Sequence, residues 1–198
     1  MIFPPSQVLT TAAIFDSSVI DANGAGFRVG FDLTRGEVHV YHCCGLAGKT
    51  TTARDAFDVI GVASGTPVNV VARMTVDGWI WTRGCGGTGC SGLLWTTLTA
   101  GALTNQMVLS RTIFSADSIH VTGVVELPVT IVAGTPLTIE FSMHGMRAAG
   151  GAHGAHGSGR YEFVGLTPGM HMTSCSGYVD QAVPTLRSTW GKLKVTYR

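Results

Sequence analysis

The feature that most constrains this chain is a two-residue alternation that occurs twice behind the same turn. In GTPVNVVARMTVDGW (65–79), Val68, Val70, Ala72, Met74 and Val76 point one way while Asn69, Arg73, Thr75 and Asp77 point the other. A period of two belongs to a β-strand with one buried and one solvated face. GTPLTIEFSMHG (134–145) repeats the scheme, with Leu137, Ile139, Phe141 and Met143 on the buried side and Thr138, Glu140, Ser142 and His144 on the wet side. Any strand entered through a tight Gly-x-Pro turn looks like this, so the echo needs no internal duplication. With no third copy, it does not announce a repeat array.

Helical periodicity is scarce in the rest of the chain, whereas alternation recurs. Candidate strands fall at 26–33, 37–42, 56–62, 67–76, 78–83, 93–98, 106–114, 118–125, 128–132, 137–143, 160–164, 171–174 and 192–197. Many short strands between Gly, Pro and Thr turns predict an all-β fold, a two-sheet antiparallel β-sandwich of jelly-roll or Ig-like type. At 198 residues the chain fits one domain with a core of its own. Residues 1–20, which include Pro4 and Pro5, read as an extended N-terminal arm, and 21–198 as the single sandwich domain. The low-complexity segment RAAGGAHGAHGSGR (147–160) reads either as a flexible loop or as a thin strand pair of small residues.

Composition narrows the partners. Charged residues make up 13% of the chain, against about 25% in an ordinary soluble domain. The formal net charge is +1, from 13 basic and 12 acidic residues, so no long-range field recruits nucleic acid or an anionic membrane. Partners are then held by shape and apolar contact. The longest uncharged stretch, 84–110, is interrupted by Gly, Thr, Ser, Asn and Gln, so no membrane-spanning helix is expected. The beginning, MIFPPSQVLTTAAIF, lacks a basic leader and carries two prolines where an apolar helix would be needed, and does not read as a signal peptide.

The order of motifs carries a resemblance. DAFDVIGVASGTPVNVVARMTVDG (55–78), VELPVTIVAGTPLTIEFSMHG (125–145), the Gly/Ala-rich segment and YEFVGLTPGMHMTSCSGY (161–178) resemble exported bacterial β-sandwich proteins found among PEP-CTERM-sorted extracellular proteins. The likeness covers roughly 55–177 and rests on strand and turn patterns. It implies a β-sandwich outside the cytoplasm (periplasm, cell surface or secreted) and names no activity. The family's sorting tail is not matched: STWGKLKVTYR ends the chain with basic residues but no apolar span before them, and reads as a last strand.

Five cysteines, Cys43, Cys44, Cys85, Cys90 and Cys175, leave at least one outside an intramolecular pair. The glycine-rich GCGGTGCSG lets the backbone turn back, so a Cys85–Cys90 disulfide is expected, with Cys175 a further partner for Cys43 or Cys44. Zinc on Cys43, Cys44, His39 and His42 is disfavoured, because adjacent cysteines on a strand face opposite ways. His153 and His156, three apart in a glycine-rich segment, could reach one soft cation but lack further ligands nearby, so they are weak metal candidates, and no metal or other cofactor is expected.

Catalytic signatures are not recognisable. The loop serines lack a strand-to-helix elbow, and GLAGKTTT (45–52) has two residues between its glycines rather than the four of a phosphate-binding loop. The leading expectation is a non-catalytic structural or interaction subunit of an envelope or extracellular assembly, binding other subunits or itself. Its contact would run through Ile2, Phe3, Pro4, Pro5, Val8 and Leu9 of the arm, or through an edge strand. A carbohydrate-binding module using Trp79 and Trp81 is the alternative, if those rings face solvent rather than cap the core. A hydrolase with an unrecognised site is a third.

Overall fold

A computed structural model describes residues 13–20, 26–43, 48–82, 90–114, 117–149 and 153–179, with residues 90, 147–149 and 153 described by backbone alone. Those residues form eleven strands and no helix. They are β1 (Ile14–Ile20), β2 (Gly26–Asp32), β3 (Glu37–Cys43), β4 (Lys49–Ile60), β5 (Pro67–Thr82), β6 (Cys90–Ala100), β7 (Leu103–Ile113), β8 (Asp117–Val132), β9 (Leu137–Ala149), β10 (His153–Val164) and β11 (His171–Ser174). A six-stranded sheet, β1-β2-β3-β10-β5-β8, packs on a five-stranded one, β11-β4-β9-β6-β7. Every pairing is antiparallel. The four strands β3-β10-β5-β8 oppose β4-β9-β6-β7 while the chain crosses repeatedly between the layers, which is the jelly-roll path rather than the Ig one.

The alternating residues fill the space between the layers. Val70, Ala72 and Met74 from β5 meet Ile139 and Phe141 from β9, all 3% exposed or less, with Leu137 partly buried at the strand's start. Phe141 stacks on Tyr161 of the opposite sheet at 3.9 Å between ring centroids, and Phe57 stands edge-on to both. Tyr161 is 1% exposed, yet its hydroxyl donates to the Leu33 carbonyl at 2.9 Å, so the polar end is not orphaned. Burial pushes that phenol far above its usual range.

The two Gly-Thr-Pro segments lie side by side at one end of the sandwich. Gly65 and Gly134 have φ of 84° and 83°, and each is the third residue of a four-residue turn closed by Thr66 N–H to Ala63 O (3.2 Å) or Thr135 N–H to Val132 O (2.8 Å). Such turns require the positive φ that only glycine adopts freely. The turns are joined by Gly65 N–H to Ala133 O at 2.7 Å and Ala133 N–H to Thr66 O at 3.0 Å. Asp58 locks the pair, accepting from Gly134 N–H at 2.9 Å. One copy thus starts β5 in one sheet and the other starts β9 in the facing sheet.

Several elements depart from expectation. Strands expected at 67–76 and 78–83 are the single strand β5, because Gly78 lies opposite Gly157 of β10 and both are needed as glycines. A Cβ on Gly78 would fall 2.5 Å from Leu94 Cδ1, and one on Gly157 2.9 Å from the same methyl. The low-complexity segment supplies most of β10, a central strand between β3 and β5. β8 runs through Pro128, where a break was expected; as the sheet's edge strand it can turn that nitrogen away from β5. Residues 14–20 of the expected arm are the opposite edge strand, β1. The strand expected at 192–197 lies outside the described residues.

Candidate functional site: the outward face of the six-stranded sheet

Because register is continuous across five strands, outward side chains line up in rows. One row runs Arg28 (β2), Tyr41 (β3), His156 (β10), Trp79 (β5) and His120 (β8), each the direct cross-strand neighbour of the next. The adjacent row runs Gly30, His39, Ser158, Asp77 and Thr122. Between them lies a shallow groove of about 540 Å³ lined by Ile20, Arg28, His39, Tyr41, Asp77, Trp79, His156 and Ser158.

The rings are graded along the groove. Trp79 is 39% exposed and packs on the His120 imidazole at 4.9 Å, while Tyr41 and His156 lie 6.4 Å apart. Trp81, two residues on and half-buried, lies over Gly154, where a Cβ would collide with its ring. The expected shared face of Trp79 and Trp81 is therefore the outer one, with Trp79 the more open ring.

Charges in the groove are paired internally. Arg28 donates to Asp16 through Nε at 3.1 Å and Nη2 at 2.5 Å, which holds that carboxyl below its usual value against the opposing effect of burial. His39 Nε2 lies 3.4 Å from the same carboxylate, its ring sitting over Gly30, where a Cβ would be 2.5 Å from Cε1. His120 Nε2 meets Asp77 Oδ1 at 3.0 Å. Burial lowers the His156 pKa, an effect Asp77 partly offsets, which favours the neutral form of the central imidazole.

Other expected site residues fall elsewhere. Cys85 and Cys44 lie outside the described residues, as does the Cys90 side chain, so the Cys85–Cys90 bridge does too. Cys175 is a free, exposed thiol, and the anticipated bridge from it to Cys43 or Cys44 is not formed; it sits on a surface turn after β11, while Cys43 is buried and disulfide-bonded. His39 and His42 point to opposite faces of β3, and among the described residues no group of three or more His, Cys, Asp or Glu could hold a metal. The His153 side chain lies outside the described ones, whereas His156 is at the centre of the row. Ile2, Phe3, Pro4, Pro5, Val8 and Leu9 all lie outside the described residues. The first two acids of the 55–78 motif serve the fold: Asp58 binds the Gly134 turn, and Asp55 points inward, accepting from Ala56 N–H at 2.8 Å.

Sequence reasoning singled out Trp79 and His156 separately but did not join them, and passed over Tyr41, Asp77 and His120. The spacing of Asp77, Trp79 and Trp81 marks one face of one strand; their partners become visible only with the register. No protein-family model, curated protein or solved structure matches this chain.

Proposed function

We propose that this chain is a carbohydrate-binding module whose ligand, a neutral saccharide, lies across the outward face of the six-stranded sheet. The observation that carries the reading is the register-matched row of Tyr41, His156, Trp79 and His120 beside the paired acids Asp16 and Asp77. An open indole face accepts the C–H side of a pyranose ring, and planar carboxylate, guanidinium and imidazole groups hydrogen-bond its hydroxyls. Since each carboxylate already faces a basic partner, the complementary ligand is uncharged. The larger hollow beside β7 and β8, about 640 Å³, has no aromatic ring in its lining and no comparable claim.

In this reading the module works outside the cytoplasm, a location supported by the bonded Cys43 and by the resemblance to exported bacterial proteins. A second reading, a subunit held in an envelope or extracellular assembly, draws on the exposed apolar residues of edge strand β1: Ile14, Val19 and Ile20. The two surfaces meet at Ile20, at the β1 end of the groove.

The test is titration with neutral hexose and N-acetylhexosamine oligosaccharides, read by tryptophan fluorescence and calorimetry. Binding weakened about tenfold in Trp79→Ala and unchanged in Trp95→Ala supports the proposal. If no neutral oligosaccharide binds, or if binding ignores Trp79, the proposal is wrong.

A further inference from the structure

The four sheet edges differ in how they are protected. β8 carries Pro128, and its Glu126 carbonyl accepts from Asn105 Nδ2 at 2.7 Å. β11 is only four residues long. β7 carries Arg111 and lies against β8. Such devices keep an edge from recruiting another strand. β1 has no proline, no lysine and no bulge in IFDSSVI, its one charge, Asp16, is paired with Arg28 of β2, and among the described residues no strand lies on its outer side. Its apolar residues are nevertheless open, Ile14 at 61%, Ile20 at 50% and Val19 at 48%.

We infer that β1 pairs with β1 of a second copy of this chain, antiparallel about a two-fold axis at Ser17. Backbone direction selects that register. Ala13 O accepts from Leu33 N–H at 2.9 Å, so in the alternating ladder residues 13, 15, 17 and 19 face β2. The N–H and C=O groups of Ile14, Asp16, Ser18 and Ile20 therefore face outward. With Ser17 on the axis, Ile14 meets Ile20 and Asp16 meets Ser18, and all of those groups find partners. Side chains agree with backbone, because IFDSSVI reads alike in both directions: apolar ends, polar centre. Ile14 and Ile20 cover each other on the outer face, Phe15 and Val19 on the inner.

Charge agrees as well. Asp16 of one copy falls opposite Ser18 of the other, whose cross-strand neighbour on β2 is Arg28, so an acid approaches a base and not its twin. An isologous contact of this kind closes as a dimer. It also brings together two grooves, since Ile20 lies at the β1 end of each.

Sedimentation of the full chain across a concentration series tests this without reference to saccharide binding. A dimer is expected for the parent. Ser18→Pro, which removes an outward N–H at a position where an edge strand tolerates proline, should be a folded monomer with an unchanged circular dichroism spectrum. Should that variant fail to fold, Ile14→Lys with Ile20→Lys serves the same purpose. Register is read by Ser17→Cys in a Cys175→Ser background, which should form a covalent dimer on mild oxidation, since facing non-hydrogen-bonded residues lie within disulfide range. A parent that stays monomeric at its highest attainable concentration overturns the inference. So does a dimer that survives Ser18→Pro or the lysine pair, or one that Ser17→Cys does not cross-link.

Discussion

The two outward faces of the sandwich carry the same pair of residues and differ in what surrounds it. On the six-stranded sheet His156 neighbours the exposed Trp79; on the five-stranded sheet His144 neighbours Trp95, 40% exposed. Around Trp79 stand Asp77 and His120, with Tyr41 and Arg28 further along the same row. Around Trp95 stand Val108, Thr97 and Thr50, whose hydroxyl is bonded to His144 Nδ1. An exposed tryptophan beside a histidine therefore does not distinguish the two faces. What separates the faces is where the planar, paired polar groups lie: Asp77 and His120 adjoin Trp79, whereas Arg54 and Glu140, paired at 2.6 Å on the other sheet, stand two same-face positions along β9 from His144, with serine and threonine between.

The largest expected effect shows what the faces share. Phe141→Ala removes the ring that touches Phe57 and Tyr161, and should destabilise the fold by about 3–5 kcal/mol by chemical denaturation. Both faces should be lost in one transition. Tyr161→Phe deletes only the hydroxyl bond to Leu33 and leaves that carbonyl unpaired, so about 1–3 kcal/mol is expected. A loss below 1 kcal/mol in the first variant would mean that the layers are registered one residue away from the arrangement described.

Next in size are the effects that separate the faces. Trp79→Ala should weaken oligosaccharide binding about tenfold, near 1.4 kcal/mol, with Trp95→Ala indistinguishable from the parent. Asp77→Asn keeps the plane but loses the charge facing His120, so a loss of a few-fold is expected, measured by the same titration. Equal losses from Trp79→Ala and Trp95→Ala would break the comparison.

The smallest effect is shared by the two imidazoles. Burial lowers both His156 and His144, so the folded state binds fewer protons than the unfolded state below the ordinary histidine value near 6.5. Stability is then full above that pH and declines as pH falls beneath it. A fall of a few degrees in Tm between pH 7 and 5 is expected, reduced in His156→Gln and in His144→Gln, with NMR titration placing both rings below 6.5.

The alternation at 67–76 and 137–143 was legible because each strand has one dry and one wet face, and Met74 and Phe141 are buried as their parity requires. Of β10 only the end at 160–164 was legible outright; 153–159 reads equally as loop or strand, for the opposite reason. Its inward positions 157 and 159 are glycines, selected by Leu94, Met74 and Met143, which reach in from other strands, and no property of that stretch itself announces this. Pro128 misled because its tolerance depends on β8 being an edge, a fact of sheet order. The groove was hidden for the same reason: Tyr41, Trp79, His120 and His156 are far apart in sequence and become neighbours only through register.

β10 has a consequence for the order of assembly. It is inserted between β3 and β5, so until it arrives the six-stranded sheet exists as two separate halves, β1-β2-β3 and β5-β8. A chain emerging from the ribosome can pair β5 with β8 and β6 with β9, and can pack β3 on β4 and β9, but cannot complete the six-stranded sheet before β10 is synthesised. Contacts of such long sequence separation fold slowly. The glycines that make β10 thin enough to fit also give it little intrinsic preference for a strand. β10 thus depends on the surfaces already waiting for it, and closure of the six-stranded sheet should set the folding rate.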